Sequence, residues 1–378
     1  TFVERSLAAL ATRANTLGIA PTGCHAAGTP ILMFDGSTKR VEDIIVGDVL
    51  MGPGSAARHV RELHRGRDQM VEIRPLKGSP FVVNLGHILT LVRTNDGMPA
   101  RCRNRDGELV DISVADWLAA SDHFRHLHKL VRMPADFPER AAPDLDAYLL
   151  GVILGDGSII NNVSVTTPDI EIVETLYGSA ARLGLRLRCA QLSNSEANTY
   201  FFVDDRSHGN ALIDQLRALD LFGKKSAEKF IPDAYRLGSR ATRFVMLAGL
   251  LDTDGHLMNG RCFEFVSKSP RLAADVVFIA RSLGFLASIA EKEVGGQIYQ
   301  RVHISGDLDQ IPTRVLRKQA PPRKQKKNVL RCGFTVHALD VLPHAGPMWY
   351  HRSAVEFLLH HGIATWSAVP WSLHATGH

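Results

Sequence analysis

The sequence predicts a multidomain chain, an all-β segment followed by an α/β domain built from two related halves. Three observations predict it. Between Ile31 and Val92 short alternating apolar runs are broken by turn residues, the texture of an all-β domain. From Tyr148 onward longer helical periods alternate with strands. The run LLGVILGDG at Leu149–Gly157 then returns as LAGLLDTDG at Leu247–Gly255, so one apolar helix with one Asp-Gly ending is built twice.

Composition sets the outer bounds. A chain of 378 residues has room for two or three domains, each with its own core. With 45% apolar and 22% charged residues it reads as globular. Lys plus Arg outnumber Asp plus Glu by 44 to 39 and the pI is near 9.0, a balance compatible with a polyanionic partner. The five cysteines, Cys24, Cys102, Cys189, Cys262 and Cys332, form no CxxC pair. That argues against a disulfide framework and against zinc, and leads us to expect a reducing, cytoplasmic setting. No apolar run approaches the ~18 residues of a membrane span, and Thr1–Gly23 carries Glu4, Arg5 and Arg13 without an apolar centre, so neither a membrane anchor nor a secretory signal is expected.

In chain order, the β segment reads ILMF, DGSTK, VEDIIVGDVLMGPG, MVEIRP and FVVNLGHILTLV. Beyond it, each Asp-Gly ending is followed at similar distance by a near-copy, AARLG at Ala180–Gly184 and ARSLG at Ala280–Gly284. Each half closes on an Ile-Pro, at Ile231-Pro232 and Ile311-Pro312. Two copies of one α/β unit explain this economically. In RLRC, Arg186 and Arg188 share a strand face; in YQRVHI, Tyr299, Arg301 and His303 lie opposite Val302 and Ile304. Such polar faces suit a solvated or ligand-facing sheet.

The repeated run raises a chemical question. Gly151, Ala248 and Gly249 are small enough for the two helices to pack backbone against backbone, which brings their C-terminal ends together. Asp156 and Asp254 would then sit at the negative poles of two helix dipoles and beside each other. Both effects oppose ionisation unless a cation lies between them. Magnesium, which takes one or two carboxylates and completes its shell with water and phosphate oxygens, is that cation, and phosphodiester hydrolysis is the chemistry it suits.

LLGVILGDG and LAGLLDTDG resemble the paired signature of the LAGLIDADG homing endonucleases. The resemblance implies a monomer with internal pseudo-two-fold symmetry, two αββαββα-like repeats whose sheets lie in the major groove of double-stranded DNA. It implies Asp156 and Asp254 as metal-binding catalytic acids, the carbonyls of Gly155 and Thr253 in the metal shell, and Mg²⁺ as cofactor with Mn²⁺ able to substitute. Lys229, in KFIP, matches a lysine often found in the double-motif family, and Lys318 is its weaker counterpart. Arg186, Arg188, Lys268, Tyr299, Arg301 and His303 are the implied DNA contacts. Asp252 has no acidic match in the first copy, where Leu154 stands. The basic segment Arg317–Lys327 is expected to be a solvated linker that touches phosphates. A non-cleaving, maturase-like DNA- or RNA-binding protein of the same family is the alternative, which the presence of both acids disfavours.

The β segment, from CHAAGTPILMFDGSTKRVEDIIVGDVLMG to FVVNLGHILTL, resembles the N-terminal splicing blocks of inteins, a Hint-like domain. A cysteine at the start of such an element attacks the preceding carbonyl and converts the amide to a thioester, provided the leaving nitrogen is protonated. By this resemblance Cys24 is the nucleophile, and His87 with Asn84 assists at the scissile bond. Residues 1–23 are then host protein, and their GIAPTG resembles the opening of the phosphate loop of helicase-like ATPases. No Gly-Lys-Ser or Gly-Lys-Thr follows, so no ATPase activity is expected. Inteins end on His-Asn, a dipeptide that does not occur here. CGFTVHALDVL at Cys332–Leu342 looks like the approach to the closing blocks, but Pro343–His378 is not expected to continue them. That tail has neither Lys nor Asp, yet holds three of the four Trp and six of the 17 His. The break reads as a frameshifted or replaced C-terminus, with a His-rich metal site as the competing reading. The expected layout is 1–23 host remnant, 24–135 N-terminal splicing part, 136–328 endonuclease and 329–378 a divergent C-terminal remnant. Splicing is expected to be impaired at its C-terminal step, and an autoprocessing Hint protein is a further alternative.

Overall fold

A computed structural model describes residues 24–94, 106–191, 196–204, 209–325, 327–348, 355–358 and 363–366. The chain divides into two compact units, 1–135 with 330–378, and 136–329. The GIAPTG stretch and Cys102 lie outside the described residues.

The first unit is β-rich. His25–Ala26, Phe334–Met348, Glu62–Pro75 and Phe81–Asn84 close a barrel. A second sheet runs Arg331–Cys332, His128–Val131, Ile88–Arg93, Ile363–Trp366, Val355–Leu358, with Leu109–Ser113 also on Ile88–Arg93. Alternation explains the barrel wall: Val71 and Ile73 point inward with Phe81 and Val83 of the neighbouring strand. Ile88–Arg93 instead buries Leu89, Thr90, Leu91 and Val92 in succession, as a strand covered on both faces does. The unit is not purely β. Ser113 and Ser121 cap two short helices, Val114–Ala119 and Asp122–Leu127, and Trp117 on the first stacks on Phe334 at 4.6 Å.

The tail departs from expectation. Rather than breaking off at Pro343, the strand runs to Met348, paired with Glu62–Pro75 as far as Glu62, and His344 and Ala345 pair with Ala26 and His25. Val355–Leu358 and Ile363–Trp366 add a hairpin that reaches Ile88 through Trp366. The reason is that a ladder is made by backbone N–H and C=O groups, so loss of the closing signature does not forbid the strand. A bulge between Ala338 and Val341 takes up the irregularity.

The second unit is the repeat. The first copy is helix Ala147–Asp156, strands Gly157–Ser158 and Ser164–Thr167, helix Ile170–Arg182, strands Arg186–Gln191 and Asn198–Val203, and helix Ala211–Ala218. The second is helix Arg240–Asp254, strands Gly255–Met258 and Cys262–Ser267, helix Pro270–Ser282, and strands Leu286–Val294 and Gln297–Ser305. It closes on a 3₁₀ turn, Leu308–Gln310, where the first copy has its last helix, so only the first repeat is αββαββα. Each four-stranded sheet has the same strand order, first, second, fourth, third. AARLG and ARSLG are helix endings. Gly184 (φ 69°) and Gly284 (φ 98°) take the left-handed conformation, and Leu185 N–H and Phe285 N–H reach back to the carbonyls of Ala180 and Ala280, both at 2.9 Å. One apolar core, with Leu149, Val152, Leu176, Leu247, Leu250, Phe263 and Val276, spans both copies.

Candidate functional sites

The two motif helices, Ala147–Asp156 and Arg240–Asp254, touch backbone to backbone. A Cβ on Gly249 would lie 2.4 Å from the Tyr148 carbonyl and 3.1 Å from the Gly151 Cα, and one on Gly151 would lie 2.7 Å from the Met246 carbonyl. Further along, a Cβ on Gly155 would lie 2.0 Å from Thr253 Oγ1. The Asp-Gly endings have a separate cause. Gly157 and Gly255 have ordinary negative φ, but the chain turns from helix into strand so tightly that a Cβ would stand 2.4 Å from the Ile153 carbonyl and 2.5 Å from the Leu251 carbonyl. The glycines let the strand leave at once, and the aspartate before each is left at the helix end.

Asp156 and Asp254 thereby meet at the juncture of the two helices, Asp156 open to solvent and Asp254 half-buried. The protein packed around the helix ends strips water from both carboxyls and raises them, although Asp156 keeps an exposed edge. Asp254 is pushed up to about 7, first by burial and then by Asp156, against the pull of Lys229 and Lys318. Asp156 is raised by burial, with Lys318 and Lys229 opposing.

Both lysines are buried, at 4% and 7% exposure, and are not surface charges. The Lys229 ammonium donates to the carbonyls of Ile153 (3.1 Å), Leu154 (3.0 Å), Gly155 (3.3 Å) and Gly157 (2.7 Å). Lys318 does the same for the other helix, to Leu251 (3.1 Å), Asp252 (2.7 Å) and Thr253 (2.8 Å). Each lysine thus neutralises the carbonyl end of one motif helix while lying close to the acids. Burial lowers Lys229 to about 8 and also lowers Lys318. Lys318 is the full structural counterpart of Lys229, not a weaker one. The carbonyl oxygens of Gly155 and Thr253, expected in a metal shell, each accept from one of these ammonium groups, at 3.3 and 2.8 Å. Among the described residues no cluster of three or more His, Cys, Asp or Glu forms a ready-made metal cage.

Asp252, unmatched in the first copy, is buried and accepts from Tyr148 Oη (2.6 Å), Arg314 N (2.7 Å) and Val315 N (3.3 Å). It faces protein, not the helix juncture. Arg317 and Lys318 correct the expectation of a solvated linker: Arg317 forms a bidentate pair with Asp169, and Lys318 is buried.

The outward sheet faces carry the expected polar residues. On the first, Arg186 and Arg188 flank buried Leu187, and Arg188 lies over the Phe201 ring at 5.0 Å. On the second, register places Tyr299, Arg301 and His303 opposite Lys292, Ala290 and Ser288, with Val302 and Ile304 buried behind. Lys268 and Tyr299 meet at Gln297 Oε1 (3.2 and 3.3 Å). Glu264, opposite His303, lies 3.3 Å from Lys292 and 3.8 Å from Arg301, so the basic groups of this face are partly paired.

In the β-rich unit, Cys24, Asn84 and His87 are brought together and buried. Asn84 Oδ1 accepts from Cys24 N at 3.1 Å, and Asn84 N donates to the Cys24 carbonyl at 3.1 Å. Asn84 Nδ2 donates to Asp68 Oδ2 at 3.1 Å, a contact the sequence reading missed, since nothing near Asp68 marks it. His87 has neither ring nitrogen hydrogen-bonded and stands edge-on to His25 at 4.7 Å. Its pKa is lowered well below the usual histidine value by burial and by His25, which keeps the ring neutral.

Comparison with known proteins agrees with this division. Residues 24–137 match the Hom_end-associated Hint family, and residues 241–310 match the LAGLIDADG-like domain family. A replicative DNA helicase DnaB of Mycobacterium intracellulare is 32% identical over 143 residues, 37% of this chain and 24% of that protein. A V-type proton ATPase catalytic subunit from Candida tropicalis is 36% identical over 84 residues, 20% of this chain and 8% of that protein. The chain therefore spans a quarter or less of these curated relatives. Among solved structures, I-DmoI in complex with DNA and Mn is similar at 15% identity and a TM-score of 0.32, covering 42% of this chain and 88% of that one. I-DmoI in complex with DNA and Ca is similar at 14% identity and a TM-score of 0.31, covering 42% and 82%. The chain thus carries a Hom_end-associated Hint domain over residues 24–137 and a LAGLIDADG-like domain over residues 241–310.

Proposed function

We propose that this chain makes a divalent-metal-dependent double-strand cut in a long DNA site, the uninterrupted form of the gene that carries it. The observation that carries the reading is the pair Asp156 and Asp254 at one helix juncture, each beside a buried lysine. The donor set fits a hard divalent cation: two carboxylates, oxygen only, of which half-buried Asp254 is a poor anion without one. We assign Mg²⁺, with Mn²⁺ substituting. When bound, the metal supplies Lewis-acid stabilisation of phosphate oxygens and a more acidic water. The chain's own residues do the rest. Asp156 and Asp254 hold the cations, and Lys229 and Lys318 fix the carbonyl ends from which the acids project and add positive charge near the phosphate. Arg186, Arg188, Lys268, Tyr299, Arg301 and His303 present two sheet faces to the grooves, in a monomer whose pseudo-symmetry matches the two strands of a duplex. The test is incubation with a plasmid carrying the uninterrupted host sequence. Linear product with Mg²⁺ and none with chelator is expected; intact plasmid beside tight, metal-independent binding would favour the non-cleaving alternative.

A second activity is favoured by the Cys24–Asn84–His87 cluster inside a closed barrel. In the reading we adopt, Cys24 Sγ attacks the residue 23 carbonyl carbon, the C–N bond to Cys24 breaks, and the freed nitrogen takes up a proton, leaving a thioester. Asn84 holds that nitrogen, and neutral His87 is the proton carrier beside it. A reducing, cytoplasmic setting keeps Cys24 a thiol. The host is a helicase-like protein in this reading, in line with the DnaB similarity. Added thiol should release a fragment ending at Gly23, read by intact mass, and Cys24→Ala should not; release from the alanine variant would mean a contaminating protease.

A further inference from the structure

Each motif-helix lysine arrives on the segment that trails its own repeat, yet that segment is bound along the other repeat. The first trailing segment carries Lys229. Its Lys229 carbonyl accepts from Ser269 Oγ at 2.6 Å and its Ile231 N–H donates to Asp275 Oδ2 at 2.9 Å. Phe230 lies under Arg271 at 3.8 Å, and Arg236 over Phe278 at 4.5 Å. All of these anchors belong to helix Pro270–Ser282 of the second repeat or to its N-cap, Ser269. The second trailing segment carries Lys318. Its Arg314 donates to Thr175 Oγ1 at 2.9 Å, its Leu316 N–H to Glu171 Oε1 at 3.2 Å, and its Arg317 pairs with Asp169. Those anchors belong to helix Ile170–Arg182 of the first repeat or to its N-cap, Asp169, while Asp252 of the segment's own repeat accepts from Arg314 N and Val315 N. The positions correspond: Asp169 and Ser269 are the two N-caps, and Thr175 and Asp275 are each the sixth residue of their helix. The arrangement is a reciprocal strap, built twice from unlike residues.

We propose that Ser269 and Asp275 of the second repeat, and Asp169, Glu171 and Thr175 of the first, are positioning residues that hold Lys229 and Lys318 on the helix ends of the candidate nuclease centre, so that each half of the site is locked by the opposite repeat. The inference rests on the nuclease reading for its purpose, but the strap itself does not. Besides its ammonium, which spans the carbonyls of a helix end, each lysine is held through the segment that carries it, by Ser269 and Asp275 for Lys229 and by Asp169, Glu171 and Thr175 for Lys318. Removing an anchor releases one lysine and leaves the other.

The experiment is amine acetylation of the full chain with mass-spectrometric mapping, with exposed Lys268 as the internal reference. In the parent both Lys229 and Lys318 should be strongly protected. Asp275→Ala should raise acetylation of Lys229 about tenfold, the cost of one buried hydrogen bond, and leave Lys318 unchanged. Asp169→Ala should do the reverse. Asp275→Asn, which keeps an acceptor for the Ile231 N–H, should restore protection. If Asp275→Ala does not fold, Arg317→Gln, on an exposed side chain, addresses the Lys318 strap instead. Equal rises at both lysines, or none at the lysine addressed, would overturn the proposal. A chain that fails to cut DNA but shows the crossed labelling would sink the nuclease reading and leave the strap standing.

Discussion

At Asp275 the physical chemistry of a single side chain reaches a measurable property. Burial pushes this carboxyl up to about 6, against the Ile231 N–H, Arg236 and Arg271, with Asp233 adding to the rise. Because the folded state holds the proton more tightly than the unfolded chain, stability falls as pH rises from the ordinary carboxylate value to about 6, then levels. The loss is at most ~3 kcal/mol. Asp275→Asn should flatten that slope, seen as denaturation midpoints that no longer separate between acid and neutral pH; an unchanged slope would place the titration elsewhere. Asp252 shows why some residues escape sequence reading. Its neighbours in sequence mark it as part of a metal motif, but its partners, Tyr148, Arg314 and Val315, are remote in sequence and visible only in the fold. The place of Asp156 and Asp254 at matching helix ends was legible because repetition singled it out. The burial of Lys229 and Lys318 was not, since a lysine's default is the surface and only the helix ends they cap explain otherwise.

At the scale of elements, the tightest constraint is the crossing of the motif helices. Gly249→Ala would drive a methyl group into the Tyr148 carbonyl at 2.4 Å, and backbone oxygen cannot swing aside as a side chain can. We expect a loss of about 1–3 kcal/mol in chemical denaturation. Alanine at Gly178, which meets nothing within 4 Å, is the control and should cost nothing through clash. Helices and sheet faces of the repeat followed from periodicity, since amphipathic spacing and Asp-Gly endings are local signals. The C-terminal strands did not, because an unusual composition says little about backbone pairing with a strand some 270 residues earlier, such as Gln69 opposite Val341.

At the scale of the whole molecule, the chain leaves and re-enters the β-rich unit at neighbouring points. Val131 pairs with Arg331 and Leu130 with Cys332, and Arg132 N–H donates to the Leu330 carbonyl at 2.7 Å. An insertion whose ends are already joined by a ladder costs its host little loop entropy. Replacing residues 136–329 by a short flexible linker should therefore leave the β-rich unit with cooperative unfolding; a non-cooperative product would show that it depends on the inserted unit. DNA binding by the intact chain should weaken steeply with salt as phosphate contacts release counterions, and a flat response would point away from DNA.

Single-turnover cleavage at saturating protein shows whether Asp156 and Asp254 form one metal-dependent cutting centre. With Mg²⁺, Asp254→Asn and Asp156→Asn should each slow double-strand cutting by more than about a hundredfold, while gel-shift affinity in the absence of metal stays within a few-fold of the parent. Undiminished cutting by Asp254→Asn would mean that the two acids do not form such a centre.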